Sequence, residues 1–142
     1  MSMSRNQVEE APRDIERIRR IILEDYDRLR ETLDVGMDIS ITTALIDTDI
    51  EKLVIKTLKL AKRPLSWREL KQIFQGVVGE DRLRRVLNML KARNEIAELT
   101  HTRYSLPEYV PPREIQKVKN PGIINKILKT QRPEEYTLGE TQ

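Results

Sequence analysis

The chain has 142 residues, of which 38% are hydrophobic and 35% charged, with a net charge of +3 and no Cys. This is enough apolar material for one domain core, and the lack of Cys excludes disulfides, thiolate zinc ligands and a cysteine nucleophile. With aromatic residues at only 4%, a platform for stacking single-stranded bases is disfavoured. The sequence has no apolar run of membrane-spanning length, and residues 1–6 lack a secretory signal. We therefore expect an intracellular protein, either cytoplasmic or nucleoid-associated.

The basic residues are concentrated in the middle of the chain. Residues 49–110 hold 13 Lys and Arg against 8 Asp and Glu, whereas residues 1–48 are acidic. A basic segment of this kind favours a nucleic acid or an acidic partner. The abundance of Ile, Arg, Lys and Glu without Cys is also typical of thermophilic proteins.

The first predicted element is a long amphipathic helix over residues 12–36, preceded by polar residues 1–11 that we expect to be flexible. Proline at position 12 suits a first helical turn, and apolar residues recur every three or four positions after it. The resulting stripe consists of Ile15, Ile18, Ile22, Tyr26, Leu29 and Leu33. So narrow a stripe needs a partner surface, either the rest of the chain or the same helix of a second subunit. These six residues are therefore candidates for self-association.

A linker and a second helix are predicted next. Residues 37–48 alternate in polarity only briefly, which is typical of a linker or a short strand. Thr48 with Glu51 fits a capping box that would open a helix, and the Arg63-Pro64 step would end it.

A pair of helices joined by a tight turn follows. Ser66 with Glu69 forms a second capping-box pattern, which predicts a short helix over Trp67–Phe74. A glycine-containing turn then leads into a helix over residues 80–94. The apolar face of that helix comprises Leu83, Val86, Leu87 and Leu90, and its other faces are rich in Arg and Lys. Short β-type runs at 96–99 and 103–106 predict a hairpin.

In this order of helix, bridging residue, helix, turn, helix and hairpin, residues 49–109 resemble a winged-helix domain, a helix-turn-helix variant with a β-hairpin wing. Leu65 matches the bridging strand of such domains. The resemblance implies a mostly α fold with a small β-hairpin, in which residues 80–94 are the recognition helix. It also implies that residues 96–106 form the wing, with the wing tip inside 98–103.

The resemblance and the basic charge together point to DNA as a partner. On the recognition helix, Arg and Asn side chains can bond base edges in a major groove, and Lys and Arg can meet phosphates. The candidate contacts are Arg82, Arg84, Arg85, Asn88, Lys91 and Arg93 on this helix, His101 and Arg103 at the wing tip, and Lys62 and Arg63 before the second helix. A solvated surface helix has the same pattern, and Glu80 and Asp81 at its leading end would repel phosphate. The lone Trp67 is interpreted as partly core rather than as a stacking residue.

The sequence offers little for catalysis or for a cofactor. It holds a single His, no Gly-rich phosphate loop, and no cluster of His or carboxylates at metal-ligand spacing. We therefore expect a non-enzymatic protein without a cofactor or a metal ion.

Residues 110–142 form an extension beyond the resemblance. A proline-rich exit precedes short helical stretches and a tail that we expect to be disordered from residue 131. One face of the extension carries Ile123, Ile124, Ile127 and Leu128, which would either fold back on the domain or bind a partner.

The hypothesis that follows is a DNA-binding transcription regulator or chromatin-type factor. The alternative is a winged helix that acts only as a protein-interaction module in a larger assembly, such as transcription, chromosome-organising, membrane-remodelling or ribosome-associated machinery.

Overall fold

The structure is a computed structural model that describes the backbone of residues 2–34 and 46–131 and the side chains of residues 14–31 and 46–131. Its elements are α1 (Ser2–Asp34), α2 (Asp47–Ala61), β1 (Leu65–Ser66), α3 (Trp67–Phe74), α4 (Glu80–Ala92), β2 (Ala97–Leu99) and β3 (Arg103–Ser105), then three short 3-10 helices (Pro107–Tyr109, Pro112–Lys117 and Pro121–Ile123) and α5 (Ile124–Gln131). The expected mostly α fold with a small β-hairpin is confirmed.

Helix α1 is longer than its sequence pattern predicts. It begins at Ser2, so residues 2–11, which we expected to be flexible, lie in the helix. This segment holds Gln, Glu and Ala and no Gly, a composition that favours helix. The helix ends at Asp34. Residues 35–45, most of the predicted linker or short strand, lie outside the described residues, as do residues 132–142 of the tail.

The apolar stripe of α1 packs inside its own chain. Ile15, Ile18 and Ile22 are at most 3% exposed and belong to the main core, which α1 forms with α2, α3 and α4. Tyr26 and Leu29 pack partly against the same core. The seam with a second subunit that the pattern also allowed is therefore not available to the three isoleucines, because their surface is already buried. The side chain of Leu33 lies outside the described residues.

Helix α2 begins two residues earlier than predicted and without the expected capping box. Its N-cap is Ile46, and none of the described side chains caps this end. Thr48 therefore lies within the first turn, and the Glu51 carboxylate instead accepts a hydrogen bond from Arg93. The helix ends at Ala61 because Lys62 adopts a left-handed conformation, with φ of 56°.

Helix α3 is fixed at both ends by side chains. At its start the Glu69 N–H donates to Ser66 Oγ at 3.1 Å and the Ser66 N–H donates to Glu69 Oε1 at 2.9 Å, so the predicted capping box is confirmed. At its end Arg19 of α1 donates from Nη1 to the carbonyl oxygens of Gln72, Ile73 and Gln75 at 2.9, 3.1 and 2.7 Å. These bonds satisfy carbonyl groups that a helix end leaves unpaired.

The sheet has the strand order β1-β3-β2, and both pairings are antiparallel. Leu65 pairs with Tyr104, so the short strand before α3 joins the outer edge of the β2–β3 hairpin. Helix α4 ends at Ala92, two residues before the predicted end, and Asn94 turns the chain into β2 with φ of 57°.

The C-terminal extension folds back on the hairpin rather than standing free for a partner. Ile123 and Ile127 are fully buried in a second apolar cluster, and Ile124 and Leu128 pack against it. The cluster's other buried members are Ala97, Leu99, Val110, Ile115 and Val118. This face therefore completes a second core, because the hairpin supplies its other side.

A single amide joins this extension to the end of α4. Asn120 Nδ2 donates to the carbonyl oxygens of Lys91 at 3.2 Å and Ile96 at 2.9 Å, and Asn120 Oδ1 accepts from the Glu98 N–H at 3.1 Å. The Lys119 N–H donates to the Glu98 carbonyl at 2.8 Å. The extension thus covers the free edge of β2 with hydrogen bonds as well as with apolar contacts.

Candidate nucleic-acid interface

Helix α4 has a buried face, an exposed face and two flanks with different neighbours. Its buried face comprises Leu83, Val86, Leu87 and Leu90, as the sequence predicts. The face directly opposite is exposed and carries Asn88 and, towards α2, Arg85. Between these faces lie two flanks, one towards α2 and one towards the hairpin and α3.

On the α2 flank, the arginines meet carboxylates. Arg82 Nε lies 2.9 Å from Asp47 Oδ1, and Arg85 Nη2 lies 3.3 Å from both carboxylate oxygens of Asp47. Arg93 Nη2 lies 2.5 Å from Glu51 Oε1. The hydrogen bond from Arg82, aided by Arg85, holds the pKa of Asp47 below its ordinary value. The charge of this flank is therefore largely balanced inside the protein.

On the opposite flank, one cation meets a carboxylate and another meets an aromatic ring. Lys91 Nζ lies 2.8 Å from Glu98 Oε1. The Arg84 guanidinium lies over the Trp67 ring, with Cζ 4.8 Å from the ring centroid, and Lys71 Nζ lies 5.6 Å from the same centroid. Both distances are within the range of a cation–π interaction.

The hairpin tip is strained and tied to α3. His101 and Thr102 are exposed and have φ of 64° and 51°, which is the left-handed region that favours glycine. The backbone N–H of Trp67 donates to the Thr102 carbonyl at 2.9 Å. Arg103, the other predicted contact here, donates from Nη2 to Glu114 Oε1 at 2.5 Å and holds the pKa of Glu114 below its ordinary value.

The two basic residues of the connection before α3 also differ in their environments. Lys62 is exposed, whereas Arg63 is drawn inward between two carboxylates. Arg63 Nη2 lies 3.1 Å from Asp14 Oδ2 of α1 and 3.0 Å from Glu69 Oε2 of α3. Arg63 therefore joins two helices and is poorly placed to contact a phosphate.

The ten predicted contacts thus fall into two groups. Carboxylates hold Arg63, Arg82, Arg85, Lys91, Arg93 and Arg103, whereas Lys62, Arg84, Asn88 and His101 are exposed and have no carboxylate partner among the described residues. Sequence reasoning missed the placement of Trp67 beneath Arg84, and it did not consider Lys71. The lone Trp beside a helix cap was the available signal, but nothing in the sequence connects it to Arg84, seventeen positions further on.

No protein-family model, curated protein or solved structure matches this chain. Within residues 2–34 and 46–131, none of the helices has the length and apolar character needed to cross a membrane. In the same part of the chain, no three His, Cys, Asp or Glu residues lie together where they could hold a metal ion.

Proposed function

We propose that residues 49–109 form a winged-helix domain that binds double-stranded DNA as part of a transcription regulator or chromatin-type factor. The element order and the strand order β1-β3-β2 support this assignment, with α4 as the recognition helix and β2–β3 as the wing. A recognition helix of this class lies in the major groove with its exposed face towards the bases.

The observation that carries the proposal is the exposed face of α4. Arg85 and Asn88 project from it, and Arg and Asn are the side-chain types that bond guanine and adenine in the major groove. Trp67 brings the hairpin tip to the same surface, because its ring contacts Arg84 and its backbone N–H donates to the Thr102 carbonyl. Helix and wing are thereby held together as one surface.

The footprint that we propose is smaller than the sequence predicts. Four of the predicted phosphate contacts, Arg63, Lys91, Arg93 and Arg103, bond carboxylates of their own chain. A phosphate would have to displace those carboxylates. We therefore expect few ionic contacts with DNA, and a shallow dependence of affinity on salt.

The same ion pairs support a second candidate, a winged helix that binds another protein. Internal carboxylates balance most of the basic side chains, and Glu80 and Asp81 are exposed at the leading end of α4. A surface of mixed charge fits a protein partner better than it fits a phosphate backbone.

Fluorescence anisotropy of the full chain with a labelled 20-base-pair duplex, repeated over a series of salt concentrations, tests the first proposal. We expect binding that weakens with salt, and an Arg85→Ala/Asn88→Ala variant that binds more weakly. Its salt slope should change little, because the Asp47 carboxylate already balances the charge of Arg85. The matched control is Arg20→Ala, which removes one exposed charge from α1 and should change little.

Absence of wild-type binding at the lowest salt concentration would overturn the DNA proposal and leave the protein-interaction candidate. Binding that the double variant does not weaken would show that the exposed face of α4 is not the contact surface.

A further inference from the structure

Trp67 differs from the other large side chains of the domain in having both a packing role and a charged covering. It is half-buried and packs against the main core, as its sequence position predicts. Two cations from different helices, Lys71 of α3 and Arg84 of α4, lie over its ring. The aromatic surface is therefore occupied, which leaves no open face on which a base could stack.

Contact with the Trp67 ring leaves the hydrogen-bond donors of Arg84 available. A guanidinium stacked on an aromatic face is attracted through the flat surface of its cation, so its N–H donors in the plane remain free. No acceptor among the described residues bonds Arg84, and its side chain is exposed. By contrast, Arg82 and Arg93 of the same helix use N–H donors on carboxylates.

Lys71 has only a weak competing partner. Its ammonium lies 4.0 Å from Glu80 Oε1, and the Glu80 side chain is 67% exposed. A pair this long and this exposed is worth little, because water screens it. The ammonium therefore remains available to an external anion.

We propose that Arg84 and Lys71 form a phosphate-binding site for the DNA backbone, with Trp67 as the positioning residue that holds both cations in place. This inference rests on the proposed DNA-binding function and adds Lys71 and Trp67 to its contact surface. The ligand is a phosphodiester of duplex DNA, since the ring is covered and the two cations supply only hydrogen-bond donors.

The test combines the two cation substitutions with a substitution of the ring. We would measure binding of the full chain to a labelled 20-base-pair duplex at several salt concentrations, for the wild type, Arg84→Ala/Lys71→Ala, Trp67→Phe and the triple variant. The double variant should have a salt slope less steep by about 0.9, because the two cations together neutralise one phosphate. Arg20→Ala/Lys59→Ala removes two exposed charges elsewhere and is the matched control.

Trp67→Phe keeps an aromatic ring in the core but weakens the attraction for cations. We expect it to weaken DNA binding by about two- to fivefold in the wild-type background, as loss of an exposed cation–π interaction of about 0.5–1 kcal/mol predicts. In the Arg84→Ala/Lys71→Ala background it should have no further effect, because Trp67 acts through those two cations. A purely structural role for Trp67 would weaken binding equally in both backgrounds.

The outcomes separate the two proposals. Wild-type DNA binding with an unchanged slope in Arg84→Ala/Lys71→Ala would overturn the phosphate site and leave the DNA-binding function intact. An equal effect of Trp67→Phe in both backgrounds would overturn its positioning role. No DNA binding by the wild type would overturn the function and the site together.

Discussion

The two flanks of α4 carry the same kinds of side chain but have opposite electrostatic roles. On the α2 flank, Arg82 and Arg93 meet Asp47 and Glu51. On the other flank, Lys91 also meets a carboxylate, that of Glu98, but Arg84 lies over an uncharged ring. A carboxylate uses the hydrogen-bond donors of an arginine and balances its charge. An aromatic ring fixes the position of the arginine but leaves its donors and its charge available. The partner of a cation, rather than its exposure alone, thus decides whether it can bind an external anion.

The largest effect that we expect from this comparison concerns an arginine held by carboxylates. Arg63→Ala should lower the free energy of unfolding by about 1–2 kcal/mol. Hydrogen bonds to charged groups contribute about 1.5–3 kcal/mol, but the Arg63 side chain is 37% exposed, so solvent reduces their value. Urea denaturation measures the change.

The control for that measurement is Arg68→Ala. Arg68 is exposed, and no partner for it is found among the described residues, so its loss should change stability by less than about 0.5 kcal/mol. Arg63→Ala should also leave the salt slope of DNA binding unchanged. Equal losses of stability in the two variants would contradict the division into inward-facing and outward-facing arginines.

A second substitution should give the α2 flank a cation that is available to a phosphate, as Arg84 is on the other flank. Asp47→Asn removes the carboxylate that holds Arg82 and Arg85, and Arg85, the more exposed of the two, becomes available to a phosphate. The salt slope of DNA binding should then become steeper by about 0.9. Asp49→Asn removes the same charge from the same helical turn without an arginine partner among the described side chains, and it should leave the slope unchanged. If both variants shift the slope equally, net charge rather than release of Arg85 is the cause.

The smallest expected effect is in the pH dependence of stability. Burial disfavours the charged form of Glu69, but Arg63 and the Ser66 N–H outweigh it and lower the pKa of Glu69. Because the pKa is lower in the folded state, this carboxylate's contribution is fully present above the unfolded pKa of about 4.3 and is lost as pH falls through the folded value. Glu69→Gln should therefore be less stable than the wild type at neutral pH, and the difference should shrink in acid. Thermal unfolding across that range measures it, and a difference independent of pH would contradict the ion-pair explanation.

Much of the local structure was predictable because its causes are local. The Ser66 and Glu69 capping box lies within four consecutive residues, and the buried face of α4 follows from a period of 3.6. Thr48 with Glu51 has the same short pattern, yet no box forms there. The helix there begins at Asp47, so Thr48 lies inside the first turn and cannot act as the cap.

The candidate site was predictable in composition and less so in arrangement. The sequence identified the exposed basic face of α4 from periodicity alone, and the structure places Arg85 and Asn88 there. It could not show which cations have carboxylate partners, because those partners lie 35 or more positions away for Arg82, Arg85 and Arg93. For the same reason it left open whether the apolar faces of α1 and of the extension bind a partner or fold back.

The sequence by itself thus determined the helices, the hairpin and the sides of each element that avoid water, since propensity and periodicity act between near neighbours. Only the tertiary structure decided that Ile18 and Ile127 face cores of the same chain and that Arg63 joins two helices. It also decided that Trp67 lies beneath Arg84. Each of these depends on a contact between distant parts of the chain, and the free energy of such a contact depends on a distance that no local pattern records.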